Sequence, residues 1–409
     1  MHRQPKVSLI VHSLQSNPIV RAAPVGRALE TLGFEVEVLG MIPKGESVYR
    51  PYRNAFEYKL EEVRGSTLFH ARSLAKKVTG DVVYAFKPNT TTLLPALIAS
   101  SLGFRKPLLL DIEDDDALVC EQKLTTSLRR NTKELCKNPK HIMAIATHQL
   151  RRTCTLKTVS TTSLKNFYGG DILLHGPDER KNDPTLPEFE KSRACQYFGL
   201  PEDKQLVVFA GGPGYHKGFD LIVDAVARRQ QSMLVLAGNP ECKDFKTASK
   251  KLQDRCINLG FIDNKEMPRL LAAVDIVPIP QRDIGYARAQ LPAKLIEAMA
   301  MAKPVIVTEV GDLPSLVGGN AMHGKSGWVI QPDSVSELYD ALSQVADDAA
   351  ETRQRAENSR RFFMEHASVT ANAALLRKIF CRNKRMMRLY QSVLTNPEPD
   401  DAPEPSHSA

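Results

Sequence analysis

The stretch Gln205-Leu-Val-Val-Phe-Ala-Gly-Gly-Pro-Gly-Tyr-His-Lys-Gly-Phe-Asp220 decides how the chain reads. Its first six residues are a short apolar run, which suits a strand buried on both faces of a parallel sheet. Glycines follow at Gly211, Gly212, Gly214 and Gly218, and Phe219 to Arg228 has helical periodicity. Strand, glycine-rich turn and helix form one β–α unit of a doubly wound sheet. Lacking Cβ, the glycines let backbone N–H groups approach a ligand. The helix N-terminus adds a positive dipole end, and Lys217 adds a full charge. Together they compose a diphosphate cradle, although the Gly-Lys-Ser/Thr ending of a Walker A loop is absent. A tight turn beside a solvated lysine is the plainer alternative.

Working outward, the same rhythm recurs along the chain. Candidate strands in the second half are Gln205–Ala210, Ser232–Ala237, Cys256–Leu259, Val274–Ile279, Pro304–Thr308 and Gly327–Ile330. In the first half they are Val7–Val11, Glu35–Leu39, Asp81–Phe86, Pro107–Ile112, Leu156–Ser160 and Ile172–Leu174. Helix-length segments separate them, so two α/β domains are expected. The proline- and charge-rich segment His175–Lys191 has linker composition. The expected divisions are 1–180, 181–368, a helix over 369–394 and a disordered tail at 395–409, rich in Pro and acids.

A length of 409 residues allows two such domains, and 42% hydrophobic with 25% charged residues excludes a fibrous or wholly disordered chain. The net charge of +8 suits an anionic ligand or a membrane surface. No basic run interleaved with aromatics suggests a nucleic-acid platform. No apolar run approaches the ~20 residues needed to cross a bilayer, and the N-terminus lacks a signal-peptide core. The 7 cysteines are scattered with no C-x-x-C, which argues against structural zinc and fits a reducing cytoplasm.

A second segment, Gln290-Leu-Pro-Ala-Lys-Leu-Ile-Glu-Ala-Met-Ala-Met-Ala-Lys-Pro-Val-Ile306, reads as a helix opened by Pro292. Lys294 and Glu297 share one helical face near its N-terminus. Amides there could hold a phosphate, and a carboxylate one turn deeper could hold ribose hydroxyls. A solvated Lys–Glu pair is the alternative. A third segment, Asp111-Ile-Glu-Asp-Asp-Asp116, ends a strand, where ligands of open α/β sheets bind. Three readings stay open: acceptor-hydroxyl base, divalent metal site, or an acidic helix cap.

These pieces occur in an order that resembles the "group 1" family of retaining glycosyltransferases with the GT-B fold. Besides the two long segments, the matching motifs are L-V-L-A-G at 234–238, N-L-G-F at 258–261, E-M-P-R-L-L-A-A-V-D-I at 266–276, V-G-D-L-P at 310–314 and G-W-V-I at 327–330. The likeness is strong over about 200–345. It is weaker in the first half, through L-x-x-L-G-F-E-V-E-V-L-G at 29–40 and T-V-S-T-x-S-L at 158–164.

The resemblance implies two Rossmann-like domains facing a cleft, and transfer from a nucleotide-diphosphate sugar to a hydroxyl of a glycan or lipid-linked acceptor. It implies no cofactor and no metal. By that likeness Lys217 meets the donor phosphate, within a cradle that includes Gly211, Gly212, Gly214, His216 and Gly218, and Glu297 binds the donor ribose. The turn at Phe261 holds the base, Leu291, Pro292 and the loop 283–291 face the sugar, and Glu113 and Asp114 face the acceptor. Two departures stand out. Ala289 replaces the first glutamate of the E-x7-E pattern, and no arginine precedes Lys217, where Gly212 and Gly214 stand. Arg288 or Lys294 are the candidates to supply that charge. The departures keep open a catalytically silent sugar-nucleotide binder, and a GT-B epimerase is a further alternative. The basic residues of 370–394, from Arg377 to Arg388, suit a peripheral contact with anionic membrane at the inner face.

Overall fold

A computed structural model describes residues 3–15, 18–63, 67–101, 106–114, 147–318 and 324–395. Asp115 and Asp116, and the expected tail beyond Thr395, lie outside the described residues. Among those described, the first domain holds a parallel sheet of β1 (Lys6–Val11), β2 (Glu35–Pro43), β3 (Glu57–Val63), β4 (Val82–Phe86), β5 (Leu108–Ile112), β6 (Leu156–Val159) and β7 (Asp171–Ile172), in the order β3-β2-β1-β4-β5-β6-β7. The buried runs in β1, β4 and β5 carry the core. The strand β3 was not expected, because Glu57-Tyr-Lys-Leu-Glu-Glu-Val63 is mostly polar. It is an edge strand, where charges cost little and discourage further pairing. Its Lys59 pairs at 2.5 Å with the buried Glu37 of β2, whose carboxyl is lowered to about 2 by that bond and by Ser8 and Thr79, against burial.

One face of this sheet packs against α1 (Pro18–Thr31). The other packs against α2 (Thr67–Lys76), α3 (Leu93–Ser101) and α4 (Thr162–Tyr168). The second domain contains α5 (Lys191–Phe198), β8 (Gln205–Ala210), α6 (Phe219–Arg228), β9 (Ser232–Ala237), α7 (Lys243–Leu252), β10 (Cys256–Asn258) and α8 (Met267–Ala273). It continues with β11 (Val277–Ile279), α9 (Ala293–Ala300), β12 (Val305–Thr308), α10 (Leu313–Val317), β13 (Trp328–Ile330), α11 (Val335–Asp347) and α12 (Ala349–His366). Its strands form the sets β10-β9-β8 and β11-β12-β13, joined by a parallel bridge between Val207 and Ile276. The chain order reverses at the β8–β11 junction, where such folds bind ligands.

Two crossings link the domains. Leu173 belongs to the first core and Leu174 to the second, earlier than the expected division at 180/181. The return crossing lies between Ala367 and Val369. The two crossings touch. A Cβ on Gly176 would stand 2.0 Å from the Ala367 carbonyl oxygen, so only glycine fits. Asn372 Nδ2 donates to Leu174 O at 2.6 Å and to Ala367 O at 3.1 Å, tying both crossings together.

The single helix expected over 370–394 is two, α13 (Val369–Cys381) and α14 (Lys384–Thr395). Asn383 caps the start of α14, its Oδ1 accepting from the backbone N–H groups of Arg385 and Met386. Both helices pack on the first domain, with Phe380 5.2 Å and Tyr390 6.4 Å from the Phe34 ring. The basic residues stay exposed, but they no longer share one helical face. Arg382 at the break pairs with Asp171 at 2.5 and 3.1 Å.

Candidate functional site

A cavity of about 400 Å³ lies between the domains, at the carboxyl ends of the strands. From the second domain it is lined by Gly211, Gly212 and Lys217 after β8, and by Leu291, Pro292, Lys294 and Glu297 at the start of α9. From the first it is lined by Lys87 after β4, Glu113 and Asp114 after β5, and Ser160 after β6. A second cavity of about 440 Å³ adjoins it. Glu297 and His175 line both.

The cradle is built by its backbone. Gly218 has φ +59°, and a Cβ there would meet Pro280 O at 2.1 Å. This glycine lets the loop close onto β11 before α6 begins. Lys217 is half-buried and its Nζ donates to Gly212 O at 2.7 Å, with its pKa lowered by burial. No side chain caps the amides that open α9 after Pro292. Lys294 Nζ is buried, lies 4.2 Å from the Phe209 ring centroid and has no hydrogen-bond partner. Burial first and Lys217 second bring its pKa down to about 7. Burial pushes the Glu297 carboxyl up to about 7, with Lys294 opposing. The pair is not a solvated surface bridge. It is an amine and a carboxyl buried at the cleft wall, and the amine has no hydrogen-bond partner.

On the opposite wall Lys87 Nζ meets Asp114 at 2.9 Å and Glu113 at 3.4 Å. Burial first, then Asp114, pushes the Glu113 carboxyl upward. Lys87 itself has φ +76°, in the left-handed region that side chains disfavour, and such strain clusters at functional sites. Asp111, in contrast, is fully buried and paired to Arg21, so it belongs to the core and not to the cleft wall. Gln290 Nε2 donates to Asp114 Oδ1 at 3.3 Å, joining the two walls.

The family model for Glycosyl transferases group 1 matches residues 204–348. That span carries the cradle, Lys294 and Glu297. The match falls within the second domain.

A lipopolysaccharide core biosynthesis mannosyltransferase, LpsB of Rhizobium meliloti, is 30% identical over 212 residues, 47% of this chain and 57% of the relative. An uncharacterized glycosyltransferase of Methanocaldococcus jannaschii is 23% identical over 309 residues, 64% of this chain and 75% of the relative. The chain thus spans about half the length of the Rhizobium relative and three quarters of the Methanocaldococcus one. Among solved structures, Anabaena HepE in complex with UDP-glucose superposes with a TM-score of 0.70 at 18% identity, covering 92% of this chain and 100% of that one. The architecture is GT-B.

Several residues singled out from the sequence do not reach the cleft. Arg288 is exposed and pairs with Asp283 at 2.5 Å, so of the two candidates for the missing charge only Lys294 lines the cavity. Phe261 is 58% exposed and lines neither cavity. Gly214, His216 and Gly218 shape the loop from outside it, with the His216 ring edge-on to Tyr286 at 5.0 Å. His12, also at the cleft edge by topology, bonds Thr91. Ala289 is buried against the first domain's core, and its carbonyl accepts from Thr161 Oγ1 at 3.3 Å. A glutamate at this position would bury its carboxylate in that contact.

Sequence reasoning missed Lys87, Gln281, Gln290, Arg21 and His175. The rule that flagged 111–116, ligands beyond strand ends, applies equally to Lys87, one residue past β4. Gln290 stands inside the loop 283–291, expected to face the sugar, without a role of its own. Arg21 and His175 carried no local signal. His175 Nδ1 lies 2.9 Å from Arg21 NH1. Because guanidinium only donates, that ring nitrogen accepts and Nε2 carries the proton. Burial and Arg21 hold the His175 pKa well below its ordinary value.

Proposed function

We propose that this protein transfers a sugar from a nucleotide-diphosphate sugar to a hydroxyl of a glycan or lipid-linked acceptor, with retention at the anomeric carbon. The observation that carries the reading is the two-sided cavity. Lys217, Lys294 and Glu297 stand on one wall, and Glu113 and Asp114 on the other. The cations and the amides opening α9 suit a departing diphosphate, whose charge grows as the glycosidic bond breaks. Glu297 suits the ribose hydroxyls. Glu113 and Asp114 suit the acceptor hydroxyl, and Lys87 orients them. The departing phosphate takes the acceptor proton on this reading. Likeness to LpsB, a mannosyltransferase, supports sugar transfer, and the UDP-glucose bound in HepE supports a nucleotide-sugar donor.

Cations already on the wall make a metal ion unnecessary to the scheme. The exposed Lys and Arg of α13 and α14 are proposed to meet anionic lipid from the cytoplasmic side. No helix among the described residues is long and apolar enough to cross a membrane.

The test is a panel of UDP, GDP, ADP and dTDP sugars, read first by thermal shift and then by nucleotide release with and without added glycan acceptors. Transfer that depends on the acceptor is expected. Binding without turnover would replace this reading with a silent binder, and donor conversion without acceptor with an epimerase.

A further inference from the structure

Two polar side-chain atoms in the wall of the cleft are buried without a partner, Lys294 Nζ and Gln281 Oε1. The lysine fits the phosphates of the donor already proposed. The glutamine needs a separate explanation, because a buried carbonyl oxygen lacking a donor is costly to leave unmade. Gln281 is 2% exposed and follows β11. Its backbone is pinned on both sides. The amide N–H donates to Ile279 O at 2.9 Å, and the carbonyl accepts from Thr308 Oγ1 at 2.6 Å.

The orientation of its side chain is set by a chain of contacts that starts at a charge. Asp114, held by Lys87 at 2.9 Å, acts as an acceptor. Gln290 therefore presents Nε2 to Asp114, at 3.3 Å, which turns its Oε1 the other way. Gln281 Nε2 meets that oxygen in a long contact of 3.5 Å. Turning the Gln281 amide over would set two carbonyl oxygens against each other. Its Oε1 is thus committed as an acceptor with nothing to accept from.

Gln281 shares the wall with the phosphate-side cations Lys217 and Lys294, and lies two amides from the acceptor-side carboxylate Asp114. A hydroxyl next to a phosphate is what fits between them. We infer that Gln281 Oε1 accepts a hydrogen bond from one hydroxyl of the transferred sugar, making this residue a determinant of which sugar the site takes. The inference rests on the donor reading above and deepens it. Through Gln290 and Asp114 it also links sugar reading to the contact that joins the two domains.

The experiment is calorimetric and needs no acceptor. UDP-glucose, GDP-mannose, ADP-glucose and dTDP-glucose are titrated against the full chain. The donor that binds is then replaced by its 2-, 3-, 4- and 6-deoxy forms and by the bare nucleoside diphosphate. Wild type is expected to bind one deoxy form about 10- to 100-fold more weakly than the parent. Gln281→Met is expected to bind the parent as weakly as that one deoxy form. It should discriminate the other deoxy forms as before, and leave nucleoside diphosphate affinity unchanged. Gln281→Asn withdraws the same oxygen by one methylene and is expected to behave likewise, which covers the case where the methionine variant does not fold. Unchanged discrimination in the variants, or a wild type indifferent to every deoxy position, overturns the inference while leaving the cradle standing. Failure of wild type to bind any nucleoside diphosphate overturns the donor reading itself.

Discussion

Arg21 of α1 and Asp111 of β5 form a two-point ion pair, Nε to Oδ1 at 3.0 Å and NH2 to Oδ2 at 2.7 Å, with side chains 1% and 0% exposed. The pair is satisfied all round. Arg21 NH1 donates to Leu173 O at 2.7 Å, and Asp111 accepts from Thr158 Oγ1 at 2.5 Å. Removing one partner leaves a buried charge uncompensated. Arg21→Met is expected to destabilise by about 3–5 kcal/mol, and Arg21→Met with Asp111→Leu by much less. Urea midpoints of the two variants check this. Equal losses would mean that the pair does not act as a unit.

Lys217→Ala and Glu297→Ala are expected to lower kcat/KM about 10- to 200-fold, the loss of a charge-assisted contact of ~1.5–3 kcal/mol, with unfolding midpoints close to wild type. Arg288→Gln is the contrast. Its guanidinium is exposed and tied to Asp283, so its effect should stay within about twofold. Near-native rates for both cleft variants would remove them from the site.

Proton uptake should accompany donor binding. With its pKa lowered to about 7, Lys294 is mostly neutral at pH 8 in the free protein. A neighbouring diphosphate favours the charged form, raises the pKa and draws a proton from buffer. Binding heats at pH 8 in buffers of different ionisation enthalpy measure the uptake, and Lys294→Gln should abolish it. Glu297 gives a second pH signature. Its folded pKa, about 7, lies above the ordinary 4.5, so its stabilising contribution is present below about 4.5 and is lost as pH rises through about 7. Glu297→Gln should flatten that fall in a urea–pH series.

Chelation is expected to leave transfer nearly unchanged, as is added magnesium, because on the proposed reading Lys217, Lys294 and the opening of α9, which line the cavity, would meet the departing charge. Loss of activity in EDTA with recovery in manganese would point to the acids of 111–116 as a metal site.

Liposome co-sedimentation tests the basic C-terminal surface. Binding should need anionic lipid, fall with salt, and weaken when Lys384, Arg385 and Arg388 are made Gln, at about 1 kcal/mol per charge. Arg382 is left intact because it holds Asp171. Equal recovery on neutral and anionic vesicles would remove the membrane from the proposal and leave the transfer reaction untouched.

What the sequence determined by itself were the elements that local rules govern. Apolar runs such as Val207–Phe209 must be buried on both faces, so they announced a parallel sheet. Gly211 to Gly218 and Pro292 to Glu297 announced a cradle and a helix start, because turn chemistry and helix termini act within a few residues. Tertiary structure alone decided the rest. The polar strand β3 exists because β2 offers it an edge and Glu37 offers Lys59 a partner. The break at Asn383 has no proline or glycine to signal it, and follows from the surface on which Phe380 and Tyr390 must both land. Arg288 and Lys294 look alike in sequence, yet one pairs with Asp283 in solvent and the other faces the cleft. Lys87, Asp114 and the pair Gln281 and Gln290 come from three separate loops, and the contact of Gln290 with Asp114 forms only when the two domains meet. Charge partners and close approaches across such distances in sequence depend on where the sheets place their strand ends, which no short window of residues contains.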